Sequence, residues 1–206
     1  MDRCYTRKNQ CPGSLLGRRS VTGVLLLAVA LAIAGCSGSK QDNSGKSVNF
    51  QGKTEDGTRV QARIAADEKS GESIAATGVD GQIAFHLLQK TLEPVVGKLT
   101  LKMDVAVSGQ NANLPSGEKA HQLVAYGQNP LPPDAETLVK TQFARVGFSD
   151  VSVMSMAESG GRMMMISGGT GQHIFDGAEI TVSSIQVSID KGRTTVNALI
   201  SVMPKS

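Results

Sequence analysis

Apolar residues at Leu99, Leu101, Met103, Val105 and Val107 alternate with their neighbours. This period of two over nine residues predicts a strand with one oily face. The same alternation in Val48-Asn-Phe50 and Val60-Gln-Ala-Arg-Ile64, around the turn residues Glu55-Asp56-Gly57, predicts a hairpin. Gly78-Val-Asp-Gly81 reads as a break, after which Ile83, Leu87, Leu88, Thr91 and Leu92 recur at helical spacing. A short helix ending near Pro94 is therefore expected, although Ile83, Phe85 and Leu87 also suit a strand. His121–Tyr126 reads as a further strand, closed by Pro130, Pro132 and Pro133. Asp134 is placed to cap a helix carrying Leu138, Val139, Phe143 and Val146 on one side and stopping at Gly147.

The remaining sequence is read as strands. Val151–Met156 and Arg162–Ser167 flank a turn at Ser159-Gly160, and a glycine loop follows. Ile180–Val182 and Ile185–Ile189 then lead through Asp190-Lys-Gly192 to Val196–Val202. The alternation changes phase between Val182 and Ile185, which predicts a β-bulge at Ser183-Ser184. With no repeat and no second linker, residues 47–206 make one α+β domain, a largely antiparallel sheet with one or two helices packed on it.

The amino-terminal stretch has a different character. Arg3, Arg7, Lys8, Arg18 and Arg19 precede an uncharged apolar run, Val21–Ala34. Fourteen residues are too few for a spanning helix, which needs roughly 20, so residues 1–35 read as a cleaved export signal. Ile33-Ala34-Gly35-Cys36, followed by Ser37-Gly-Ser, resembles the lipobox of bacterial lipoproteins. The resemblance implies cleavage between Gly35 and Cys36 and a diacylglyceryl group, with further acylation such as palmitate, on Cys36. Arg18-Arg19-Ser-Val21 also resembles a twin-arginine export signal. Residues 36–46 contain no apolar side chain after Cys36 and read as a flexible tether reaching roughly 17 Å.

Cleavage changes the charge and the cysteine chemistry. The whole chain carries 21 Lys and Arg against 18 Asp and Glu; removing five and one leaves 16 against 17, a net −1. That balance gives no footprint for nucleic acid. Cys4 and Cys11 leave with the signal and Cys36 is taken by lipid, so neither a disulfide nor a cysteine nucleophile is expected.

Methionine is the one unusual concentration. Met154, Met156, Met163, Met164 and Met165 fall within twelve residues, and a turn at Ser159-Gly160 sets Met156 opposite Met163 and Met154 opposite Met165. Core packing is the leading expectation, because methionine fills volume in a chain with no Trp and five Phe. Four soft sulfurs on one face would alternatively suit Cu(I) or Ag(I), and an exposed patch for a partner is the third reading. His86, His121 and His173 are too dispersed to form a local ligand motif. Glu158-Ser159-Gly160-Gly161 has Ala157 where a nucleophile elbow needs glycine, and Gly168–His173 lacks the Lys-Ser/Thr ending of a phosphate loop.

The resulting expectation is a non-catalytic, lipid-anchored lipoprotein of the cell envelope. It would sit on the cell membrane, or on the outer membrane of a cell that has two, and bind an envelope protein, a polymer or a small hydrophobic ligand. No cofactor is expected apart from the covalent lipid. A methionine-based Cu(I)/Ag(I)-binding accessory lipoprotein is the first alternative, and an extracytoplasmic hydrolase the second.

Overall fold

The computed structural model describes residues 36–44, 47–54, 57–67, 69–109, 118–158, 161–168, 173–190 and 192–204. The strands are β1 Cys36–Ser44, β2 Ser47–Thr54, β3 Arg59–Ala65, β4 Leu99–Ser108, β5 Lys119–Gly127, β6 Ser152–Glu158, β7 Gly161–Ser167, β8 His173–Phe175, β9 Ala178–Asp190 and β10 Arg193–Pro204. Nine of them form one antiparallel sheet in the order β1-β2-β3-β4-β5-β10-β9-β7-β6, and the short β8 adds to β9. Two helices, α1 Gly78–Val96 and α2 Ala135–Arg145, pack on it. The fold is α+β and mostly sheet, as the alternation predicts.

Helix α1 is longer than its apolar spacing suggests. Gly78–Gly81 opens it instead of breaking the chain, and Pro94 lies within its last turn. There a missing N–H costs only one bond, and Gly97, at φ 73°, ends the helix by donating to Glu93 O. Ala84, Leu87, Leu88, Leu92 and Val95 form the buried stripe, packed over β4, β5 and β10. Helix α2 starts after Asp134 as expected, but the Asp134 side chain makes no capping hydrogen bond. It buries Val139 and Phe143 and stops before Gly147, at φ 95°. Phe143 and Phe148 meet edge to face at 6.0 Å within the main core.

Two bulges set the faces of β4 and β9 in the middle of the sheet. Leu199 pairs with Ser184 but Ile200 with Val182, so the extra residue falls at Ser183, where the phase change predicts it. A second bulge is silent in the sequence: Leu101 pairs with Ala125, yet Met103 pairs with Val124. Lys102 is the extra residue. Leu99 and Leu101 therefore face the helices with Leu123 and Ala125, while Met103 and Val105 turn to the opposite face. There they join Phe50, Val60 and Ala62 in a second apolar cluster. The strand expected to have one oily face has one on each side.

Lys102 is itself buried, its Nζ donating to Ser70 O at 2.5 Å and Glu72 O at 2.9 Å. Replacing it by methionine keeps the stem but leaves these carbonyls without their charged donor. Lys102→Met is expected to cost about 1–3 kcal/mol, read as a lower urea midpoint at unchanged slope.

The polar run expected as a tether is, over Cys36–Ser44, the edge strand of the sheet. Cys36 pairs with Thr54 and Ser44 with Ser47. Backbone pairing needs no apolar side chain when one edge of a neighbour is open, and β2 presents such an edge.

Candidate functional site

Strands β6 and β7 pair antiparallel, with Met154 opposite Met165 and Met156 opposite Met163. Because side chains alternate across a strand, Val153, Met164 and Ile166 point into the core and the other four methionines point away from the helices. Met154 is 60% exposed and Met156 39%, and Met163 and Met165 are half-buried. Core packing is thus corrected for these four and holds for Met164 alone. The physical reason is position: β6 is the outermost strand, and only its inner face has α2 to pack against.

The methionine face continues onto β9, where Gln186 pairs with Met165 and Ser188 with Met163. Gln186 Nε2 donates to Met163 Sδ at 2.9 Å. Gln186 and Ser188 thus continue the methionine face with an amide and a hydroxyl group.

The three histidines do not converge. Each has an aspartate of its own. His86 Nδ1 lies 2.5 Å from Asp176 Oδ2, with its ring against Phe175. This contact joins α1 to the tight turn between β8 and β9, where Asp176 and Gly177 both hold positive φ. His173 stacks on Phe148 at 4.2 Å, its Nδ1 3.1 Å from Gly147 O and its Nε2 2.9 Å from Asp150 Oδ1. It fastens the same hairpin to the end of α2.

His121 is different, being wholly buried with Asp104. Asp104 Oδ1 is 2.9 Å from His121 Nδ1, and Asp104 Oδ2 accepts the Thr77 N–H at 2.6 Å, immediately before α1. The other ring nitrogen, His121 Nε2, is buried and has no hydrogen-bond partner among the described residues. Asp80, in the first turn of α1, pairs with Lys119 at the start of β5. Sequence reading missed this cluster. The one signal was Asp104 standing inside an apolar strand, and it looked like an outward residue because the Lys102 bulge was not visible.

Cys36 begins β1, while Gly35 and the rest of the expected export signal lie outside the described residues, as do Ser159 and most of the glycine loop. Among the described residues no three His, Cys, Asp or Glu side chains come together as a ligand set, and no helix is long and apolar enough to cross a membrane. The chain matches no protein-family model, no curated protein and no solved structure.

Proposed function

We propose that this chain is an envelope lipoprotein, held to a membrane through lipid on Cys36, whose domain acts as a binding or scaffold module. The lipobox Ile33-Ala34-Gly35-Cys36 carries this reading. Two or more acyl chains, at about 0.8 kcal/mol per buried methylene, hold a protein to the bilayer durably. With Cys36 paired to Thr54 at the edge of the sheet, the lipid attaches directly to the folded domain, which then rests close to the membrane surface.

The binding surface in this reading is the sheet face turned away from the helices. Of the five large apolar side chains exposed among the described residues, Met154, Met156 and Leu199 lie on that face.

The test is the intact mass and detergent partitioning of the membrane-extracted protein beside Cys36→Ser. The wild type is expected to lack residues 1–35, carry a lipid-sized mass increment and enter the detergent phase. The variant should lose the increment and remain aqueous when freed of its signal. An unlipidated secreted wild-type product overturns the proposal.

A further inference from the structure

We infer that Met154, Met156, Met163 and Met165 form a site for one soft monovalent cation, Cu(I) or Ag(I), on the outer face of β6 and β7. The strand register brings the four side chains together. Directly opposed residues of an antiparallel pair have Cβ atoms about 4.5–5.5 Å apart, and successive pairs on one face are separated by about 6.8 Å. Met154/Met165 and Met156/Met163 are two such successive pairs. In an unbranched methionine side chain, rotation about Cα–Cβ and Cβ–Cγ swings the sulfur and rotation about Cγ–Sδ turns only the methyl, so four thioethers anchored at this spacing can close on a single ion.

Exposure is the second ground. A core use of methionine hides the sulfur among aliphatic groups, as it does for Met164. The other four stand outward at positions where a strand surface ordinarily carries polar or β-branched residues, and Met154 is the more exposed of the two on β6. Met163 Sδ already accepts a hydrogen bond from Gln186 Nε2, which fixes one sulfur and leaves it a second lone pair.

Ligand chemistry decides the ion. Thioethers are soft and neutral, which favours Cu(I) and Ag(I) over Zn(II), Mg(II) or Ca(II). Gln186 and Ser188, the flanking residues on β9, add no charge. No ligand has to lose a proton, so binding should be flat between about pH 5 and 8, where a histidine site would weaken as it protonates.

The experiment uses the full chain with Cys4, Cys11 and Cys36 replaced by serine, so that no thiol competes and the result does not depend on lipidation. Ag(I) is titrated while the methionine methyl resonances are followed, and Cu(I) affinity is measured by competition with a chromogenic chelator under ascorbate. One ion per chain is expected, shifting the methyls of Met154, Met156, Met163 and Met165 and leaving Met164 in place. Met154→Leu with Met165→Leu should weaken binding by at least about tenfold, and replacing all four should abolish it. Met164→Leu should leave it unchanged. Retention of binding in the fourfold variant, loss that follows protonation near neutral pH, or no saturable uptake overturns the site. Failure here leaves the lipid anchor standing, and an unlipidated product leaves this site standing.

Discussion

Asp104→Ala is expected to cost about 3–5 kcal/mol of stability, which lowers the melting temperature by roughly 10 °C for a domain of this size. The side chain is fully buried and accepts two donors, the Thr77 N–H and His121 Nδ1. Truncation strands both. An unsatisfied buried donor retains its full desolvation cost, so the loss exceeds what one exposed hydrogen bond contributes. Asp104→Asn keeps an acceptor for Thr77 and should lose less than the alanine variant. Urea unfolding followed by circular dichroism separates the two, with the midpoint falling and the slope constant. A loss below about 1 kcal/mol for Asp104→Ala would mean the pair is hydrated or rearranges, and would remove its claim to hold α1 on the sheet.

Gly81→Ala is expected to destabilise by about 2 kcal/mol or more, although glycine to alanine inside a helix ordinarily stabilises by roughly 0.5–1 kcal/mol. The reversed sign has a local cause. A Cβ on Gly81 would overlap Asp104 Oδ2 and come within 3.1 Å of His121 Cε1. Neither group is the free end of a flexible chain; both are locked into each other and into Thr77. Gly71→Ala serves as the reference, because nothing stands within 4 Å of that position, and it should change stability by less than about 0.5 kcal/mol. If Gly81→Ala damages the protein through the Asp104–His121 pair, its cost should shrink markedly when Asp104 is already alanine. Simple additivity would show that the clash acts elsewhere.

Both predictions concern the point where β4, β5 and the start of α1 meet, and a single inserted residue arranges it. Without Lys102 as a bulge, Met103 and Val105 would continue the helix-facing row of Leu99 and Leu101, and Asp104 would point away from α1. The bulge exchanges them. It brings a carboxylate to the first turn of α1 and sends methionine and valine to the cluster with Phe50, Val60 and Ala62. The cost of burying Asp104 is offset only because Thr77 and His121 supply donors at the same depth.

The methionine face shows the same division between local pattern and surroundings. Strand periodicity and the turn expected at Ser159-Gly160 make the pairs Met154/Met165 and Met156/Met163 legible in the sequence. Which pair face is covered is not. Met164 and the four outward methionines have the same chemistry and adjacent places in the chain, and only the position of α2 on one side of β6 separates them.

Local sequence by itself determined nearly every element from residue 47 onward, the hairpins, the stop at Gly147 and the bulge at Ser183, because periodicity and turn chemistry act within a few residues. It also carries Ile33-Ala34-Gly35-Cys36, whose resemblance to a lipobox lies in consecutive residues. Tertiary structure alone decided that Cys36–Ser44 joins the sheet, that α1 begins at Gly78, that Lys102 is inserted between two faces, and that Asp104 meets His121. Alternation reports that two faces of a strand differ, but not what lies beyond each of them. A one-residue bulge leaves the alternation of the sequence intact while reversing the face of every residue after it.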